Sequence, residues 1–279
     1  MFIKIIQKKP ILFSVLFFVF IFLLHKIPLS NFFQKTFSYS IVLSTMVSKL
    51  IFNTIIIAIA YLLCYKTKNI TLGGLKLLVF KNTYIYILPI IYIFLMSQNF
   101  KKLQIIEHSD FFSPIVLIFF IKALSVGLLE EITFRSLFQS LIIKKYYASY
   151  GIYFCVIITS LLFGLGHIIN LVNLNYSLIG VLSQVVMAFC VGFLFSSILI
   201  ATQNIYPVVL IHALNHFSTF IAELLPQYFN NTTTPPNNSS ILEIIGSLVI
   251  TLLIFGLPTI LPSIYILNKF KPNLKLLAC

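Results

Sequence analysis

The chain has 279 residues, of which 59% are hydrophobic and 9% are charged, and its mean hydropathy is +1.04. A soluble domain carries roughly 25% charged residues on its surface, so this composition excludes an ordinary soluble protein and predicts an integral membrane protein. The net charge of +13 does not indicate nucleic-acid binding, because the lysines separate apolar runs and no nucleic-acid-binding motif accompanies them.

About eight apolar segments are long enough for membrane-spanning helices, each of which needs about 20 mostly apolar residues. The first follows three lysines and lacks a small-residue cleavage site, which predicts an uncleaved anchor. The predicted fold is therefore all-α, a polytopic transmembrane helical bundle of about eight helices that forms a single integral membrane domain over 1–279. The segments are 10–25, 39–64, 83–98, 112–143, 150–167, 177–202, 205–224 and 241–267.

Two of the connecting segments have a distinct composition. Residues 70–80 are predicted to form an amphipathic segment at the membrane surface, and residues 226–240 form a polar loop rich in Asn, Thr and Pro. Membrane proteins keep Lys and Arg in their cytoplasmic loops. With eight spans, twelve lysines fall on the side of the two termini and four on the other side, which predicts that both termini are cytoplasmic. The four are Lys26, Lys35, Lys101 and Lys102.

Two adjacent glutamates, Glu130 and Glu131, lie inside an apolar run, and the only arginine, Arg135, follows them. A carboxylate at mid-membrane costs several kcal/mol, so such residues usually have a function and face protein or water. Because residues i and i+4 share a helix face, the spacing predicts an ion pair between Glu131 and Arg135. Glu130 lies about 100° around the helix and is available as a base. A purely structural ion pair with one interfacial carboxyl is the alternative.

The five histidines fall into two groups. His25 and His108 lie in connecting segments and are predicted to have no special role. The other three lie in apolar segments, where they need partners in each other, in the backbone or in a wet internal cavity. The sequence therefore predicts an intramembrane polar site. Its candidates beside the glutamates are Phe163, His167, His212, Asn215 and His216.

Three motifs in this region resemble the CAAX-prenyl protease and bacteriocin-processing (CPBP, or Abi) family of intramembrane proteases. That family carries EExxxR, FxxxH and a histidine-initiated HxxxN-type motif on successive transmembrane helices. The corresponding segments here are 130–135, 163–167 and the one that begins at His212, so residues 112–220 are expected to form the motif-bearing catalytic core. One position departs from the pattern: His216 stands where the family usually has Asn, and Asn215 comes one residue earlier.

The resemblance implies peptide hydrolysis by a glutamate-activated water, without a metal or another cofactor. Glu130, assisted by His167, is expected to deprotonate the water. His212, with Asn215 or His216, is expected to stabilise the oxyanion. The implied catalytic residues are Glu130, His167, His212, Asn215 and His216, and the implied supporting residues are Glu131, Arg135 and Phe163.

Two alternatives remain open. The first is a zinc-dependent membrane protease that uses His167, His212 and His216, with Glu130 completing a tetrahedral set. Chelation would abolish activity in that case. The second is a catalytically inactive membrane scaffold or immunity protein of the same fold, or a transporter that uses the buried polar cluster as a proton relay.

The expected partners are a peptide or membrane-protein substrate and the lipid bilayer, and no nucleic acid. A content of Ile, Lys, Asn and Phe typical of an AT-rich genome favours a bacterial plasma membrane as the location. In that setting, analogy favours bacteriocin or pheromone processing, or self-immunity. The sequence predicts neither the cleavage site nor the oligomeric state.

Overall fold

A computed structural model describes residues 2–76, 82–87, 89–90, 114–172, 177–224 and 240–270. In these ranges every regular element is helical and no strand occurs, which confirms the all-α prediction for this part of the chain. Five helical stretches are long and apolar enough to cross a membrane, so the expected number of about eight is not confirmed. The five are Pro10–Phe37, Leu43–Lys66, Val116–Val172, Leu178–Thr202 and Ile241–Phe270.

The N-terminal part consists of four helices. Helix α2 has a proline at its first position, where the absent N–H has no helical partner to lose. Helix α4 begins after Ser40, whose hydroxyl accepts a hydrogen bond from the backbone N–H of Leu43. The helices are α1 (Phe2–Lys8), α2 (Pro10–His25), α3 (Leu29–Phe37) and α4 (Ile41–Lys66).

Residues 70–76 follow α4 and are largely buried. Leu72 and Leu75 belong to the hydrophobic core, and the backbone oxygen of Gly73 accepts a hydrogen bond of 2.7 Å from the hydroxyl of Ser136. The predicted surface segment at 70–80 is therefore wrong for this part, which packs inside the fold. Of the predicted span at 83–98, only a 3₁₀ turn (Thr83–Tyr86) and a few neighbours lie within the described residues. The predicted loop at 226–240 lies outside them except for Ser240.

The central part begins with α5 (Pro114–Glu131), which continues directly into a π-helical segment (Ile132–Gln139) and then α6 (Ser140–Gly166). All eight residues of the π-helical segment are buried. Helices of this type are rare and occur frequently at functional sites. Gly151 interrupts α6 with φ 76° and ψ 178°. This residue separates the predicted spans 112–143 and 150–167, which otherwise form one helical stretch.

A 3₁₀ turn (His167–Val172) leads from α6 towards α7 (Leu178–Thr202), and α8 (Tyr206–Leu224) follows. Every residue of α7 from Gly192 to Thr202 is buried, so α7 is the innermost of these helices. The hydroxyl of Ser177 caps α7 by accepting a hydrogen bond from the backbone N–H of Gly180. Helix α7 packs mainly on α6, and α8 packs mainly on α5, which brings the elements of the three motifs together.

The last helical stretch consists of α9 (Ile241–Thr251), a short π-helical segment (Leu252–Gly256) and α10 (Leu257–Phe270). Ser240 and Glu243 form a capping box at its start, each side chain bonding the backbone N–H of the other. Many large apolar side chains of α9 are exposed, including Ile241 and Leu242 at 77% and 80%. An apolar exterior of this kind fits a lipid environment, because hydrocarbon imposes no cost on exposed aliphatic groups.

Candidate active site

The predicted ion pair between Glu131 and Arg135 is present, and it is completely buried. Glu131 Oε1 lies 3.2 Å from Arg135 Nη1, and neither side chain has any exposed surface. The Arg135 guanidinium also lies over the ring of Phe163, 4.0 Å from its centroid. Burial of two charges is tolerated when they are paired in good geometry. Glu131 also contacts His212, whose Nδ1 is 2.7 Å from the same oxygen, and this second contact was not predicted.

Glu130 points away from this pair towards the other side of His212. Its Oε2 atom lies 3.4 Å from His212 Nε2 and 3.8 Å from His216 Nε2, and its side chain is 23% exposed. The imidazole of His212 therefore lies between two carboxylates. An imidazolium donates to both, whereas a neutral ring donates from Nδ1 to Glu131 and leaves Nε2 as an acceptor. The arrangement allows a proton to be shared between His212 and Glu130.

The rings of His212 and His216 stack on each other, with centroids 4.6 Å apart and an interplanar angle of 22°. They lie one turn apart on α8, which places both imidazoles beside Glu130. Among the described residues, the ion-pair contacts of Glu130 within 4.0 Å come from these two histidines and not from His167. The third motif is therefore closer to the glutamate than the second motif is.

His167 lies at the end of α6, and its Nδ1 atom is 3.1 Å from the backbone oxygen of Phe163. Because a carbonyl accepts only, Nδ1 carries the proton, and Nε2 of the neutral ring is a proton acceptor. The ring of Phe163 meets the rings of His167 and His212 edge-on, with centroids 5.2 and 5.9 Å away. Phe163 thus fixes both imidazoles as well as the guanidinium of Arg135.

A cavity of about 420 Å³ joins Glu130, His167 and His216. Its volume lies within the range usual for small-ligand sites. Apolar side chains from α2 and from the first two motifs form much of its wall. They are Phe18, Ile21, Phe22, Phe134 and Phe163. The acid and the imidazoles, far apart along the chain, therefore meet at one cavity within the apolar part of the protein.

Asn215 and His216 were the two candidates for the last position of the third motif, and His216 lines the cavity. Asn215 is half-buried, and it is not among the described residues that form the wall. His212 is 6% exposed and lies behind the cavity surface, where it contacts Glu130 and Glu131.

Several residues that line the cavity were missed by the sequence reasoning. His25 was expected to lie in a connecting segment, and this was wrong: it ends α2 and lines the cavity. Its Nε2 atom is 3.1 Å from Asn53 Oδ1. Asn170 and Gln184 also line the cavity and hydrogen-bond to each other. The sequence contained a signal for these two residues, because each is a polar amide in or beside an apolar helix.

Three of the side chains form a group that could hold a metal ion. The ligand atoms of Glu130, His212 and His216 all lie within 4.8 Å of one another. The group contains three of the four predicted zinc ligands, and His167 is not part of it. One carboxylate and two imidazoles suit Zn²⁺ with an open position. The contact of His212 Nδ1 with Glu131 also resembles the carboxylate–histidine arrangement that orients zinc ligands.

Residues 112–218 match the family model described as "Type II CAAX prenyl endopeptidase Rce1-like". The matched range contains all three motifs, from Glu130 to His216. It confirms the resemblance to the CPBP and CAAX protease family. Neither a curated protein nor a solved structure gives a significant match to the chain.

Proposed function

We propose that this chain, whose residues 112–218 match the model of type II CAAX prenyl endopeptidases, is a membrane protease that hydrolyses peptide bonds with a water that Glu130 activates. The observation that carries this proposal is the contrast between the two adjacent carboxylates. Glu131 is dry and paired with Arg135, whereas Glu130 opens onto the cavity beside two imidazoles. A general base must be able to reach a water, and Glu130 meets this requirement.

In the proposed reaction, Glu130 takes a proton from a water held in the cavity, while the Nε2 lone pair of His167 helps to orient that water. The oxygen attacks the scissile carbonyl and forms a tetrahedral oxyanion. The Nε2–H group of a protonated His212 and a donor on His216 stabilise this charge, which is worth most in a preorganised, water-poor site. Glu130 then transfers its proton to the leaving amine as the C–N bond breaks. No side-chain nucleophile and no metal take part.

We assign His216, and not Asn215, to the position that the family usually fills with Asn. The support is that His216 lies four residues after His212, lines the cavity and is 3.8 Å from Glu130. A protonated imidazole and a side-chain amide both present an N–H donor. Asn215 is then a neighbouring helix residue without direct contact with substrate.

The proposed substrate is a peptide or a membrane-protein segment that reaches the cavity from the membrane. Processing of a bacteriocin or a pheromone, or self-immunity, is the proposed physiological role. We further propose that residues 112–220 form the catalytic core, that the protein spans a bacterial plasma membrane and that both termini are cytoplasmic. The excess of lysines on the terminal side supports the orientation.

A zinc-dependent protease is the second candidate, because Glu130, His212 and His216 bring three ligand atoms together. In that case zinc would polarise the water and the carbonyl, and Glu130 would be a ligand in place of the base. The two candidates differ in their response to chelators. An inactive scaffold of the same fold differs from both, because it retains its phenotype when Glu130 is replaced.

The test compares the peptides of cells that carry the wild type with those of cells that carry Glu130→Gln. The matched control is Glu243→Gln, which makes the same chemical change at the exposed capping box of α9. We expect peptides that depend on the wild type to disappear with Glu130→Gln and to persist with Glu243→Gln. Equal peptide pools in all three strains, at equal protein levels, would refute the protease proposal.

A further inference from the structure

Two side-chain amides on the cavity wall, Asn170 and Gln184, have no role in the hydrolysis described above. They lie in different elements, Asn170 in the 3₁₀ turn after α6 and Gln184 in α7. Asn170 Nδ2 donates a hydrogen bond of 2.8 Å to Gln184 Oε1, and both residues are half-buried at the cavity. The pair is the main polar feature that these two elements contribute to the wall beside His167.

The hydrogen bond between the amides uses the carbonyl of one and the amino group of the other. Asn170 Oδ1 and Gln184 Nε2 take no part in it, so within the described part of the chain the pair presents one further acceptor and one further donor. A peptide bond presents the complementary groups, an N–H donor and a carbonyl acceptor. We propose that Asn170 and Gln184 bind the main chain of the substrate about two residues from the scissile bond. This inference rests on the proposed protease function.

The local geometry places the amide pair next to the reacting groups. In a 3₁₀ helix, residues i and i+3 lie above one another with a rise of about 2.0 Å per residue, so Asn170 stands about 6 Å along the axis from His167. An extended peptide advances about 3.3 Å per residue. The amide pair therefore meets the substrate main chain about two residues from the bond that is cleaved.

A close approach of α6 and α7 allows the two amides to meet. A Cβ atom on Gly164 would lie 2.8 Å from the backbone oxygen of Val185 and 3.2 Å from Cβ of Phe189. Any larger residue at Gly164 would push α7 away and separate Gln184 from Asn170. Gly164, which belongs to the second motif, therefore allows α6 and α7 to pack closely and keeps the two amides within hydrogen-bonding distance.

The cavity wall has an apolar part and a polar part, and we expect each part to bind a different part of the substrate. Helix α2 contributes Phe18, Ile21 and Phe22, which accept apolar groups. Apolar side chains or a lipid group of the substrate bind there through buried area. The amide pair recognises the main chain instead, and therefore contributes affinity for peptides without selecting particular side chains.

The experiment uses purified full-length protein in liposomes and a fluorogenic, farnesylated peptide with a CAAX carboxyl terminus as the probe. Gln184→Glu keeps the oxygen that accepts from Asn170 and replaces the outward donor, so the contact between the turn and α7 is retained. A hydrogen bond contributes about 0.5–1.5 kcal/mol, which corresponds to roughly a 3- to 10-fold change. We expect KM to rise by that factor and kcat to stay within about twofold, because the contact is the same in the ground state and the transition state.

Ser183→Ala is the matched control on the neighbouring residue of α7. It removes a hydrogen bond of 2.8 Å to the hydroxyl of Ser247, and Ser183 is not a residue of the cavity wall in the described part of the chain. We expect KM to be unchanged in this variant. An equal rise of KM in Ser183→Ala and Gln184→Glu would overturn the inference, because it would indicate a general effect of loosening α7.

A second measurement separates main-chain binding from a structural role. Probes in which one peptide bond is replaced by an ester lack the N–H donor to Asn170 Oδ1. For the wild type we expect kcat/KM to fall about 3- to 10-fold at one ester position, and for Asn170→Ala we expect no further loss at that position. Equal ester sensitivity in the wild type and Asn170→Ala would overturn the inference.

Binding of the uncleaved probe to the Glu130→Gln variant distinguishes failure of this inference from failure of the proposed function. If the wild type does not cleave the probe, but affinity for it still depends on Asn170 and Gln184, only the protease proposal fails. If the wild type cleaves the probe and neither KM nor affinity responds to these residues, only the amide-pair inference fails. A probe that is neither cleaved nor bound counts against both.

Discussion

The carboxylates of Glu130 and Glu131 lie on opposite sides of His212 and have contrasting environments. On the dry side, Glu131 and Arg135 have no exposed surface and pair with each other. On the cavity side, the side chains of Glu130 and His216 are 23% and 20% exposed. Adjacent residues of one helix turn therefore have different surroundings, because about 100° of rotation separates a packed interior from the cavity. In the proposed mechanism, the dry side organises the site and the cavity side reacts.

Replacement of Glu130 is the strongest test of the proposed difference between the dry side and the cavity side. Because Gln cannot take a proton, Glu130→Gln is expected to lower kcat by about 10²- to 10⁴-fold, the usual contribution of a general base. The midpoint of thermal unfolding is expected to stay close to that of the wild type, because the completely buried ion pair between Glu131 and Arg135 is retained. Activity is measured with the fluorogenic probe and unfolding by fluorescence in detergent. Retained activity at wild-type stability would contradict the division between the two sides.

Arg135→Met tests the dry side. It removes the arginine cation and leaves the fully buried Glu131 with His212 as its remaining contact; the loss of one partner of a buried ion pair typically costs about 3–5 kcal/mol of unfolding free energy. The expected result is a much lower unfolding midpoint and less folded protein. The double variant Glu131→Gln with Arg135→Met should recover part of the loss, because it contains no unpaired charge. A single variant as stable as the wild type would show that the ion pair does not organise the site.

His216→Asn tests the assignment of His216 to the last position of the third motif. Asn restores the residue that the family usually carries four positions after the third-motif histidine, so kcat is expected to stay within about tenfold. His216→Leu lacks a donor and is expected to lose roughly 10²- to 10³-fold. Asn215→Ala is the matched control and should retain at least about a third of wild-type activity. A larger loss in Asn215→Ala than in His216→Leu would reverse the assignment.

Chelation is expected to have the smallest effect. If Glu130 is the base, prolonged treatment with a membrane-permeable chelator leaves kcat within about twofold of the untreated enzyme. A zinc enzyme loses activity under the same treatment and regains it when zinc is returned, since the bound metal would generate the attacking hydroxide. Loss and recovery of this kind would replace the glutamate mechanism with the second candidate.

Local spacing in the sequence was sufficient to predict the dry side. Glu131 and Arg135 lie at i and i+4, and this separation determines their contact through helix geometry alone. The general convergence of Glu130 with imidazoles was predictable from the cost of polar groups in hydrocarbon. Helical character could also be predicted for the described spans, because long apolar runs in a bilayer leave few alternatives to a helix.

The remaining features depend on contacts between distant elements. The bond of His212 to Glu131 joins residues 81 positions apart, and no local pattern contains that information. His25 becomes a wall residue only because α2 packs near α6, and Gln184 only because Gly164 admits α7. The π-helical segment at 132–139 was also missed, since its residues differ little in type from those of an ordinary α-helix.

Gly151, which interrupts α6, has backbone angles that favour a residue of D configuration over one of L configuration. Its φ of 76° and ψ of 178° are essentially forbidden to L-residues, yet a side chain there would meet no heavy atom within 4 Å. The mirror image of these angles is ordinary extended backbone. A D-alanine introduced by chemical ligation should therefore adopt these angles without backbone strain, whereas its L-enantiomer should not, although both methyl groups have the same volume.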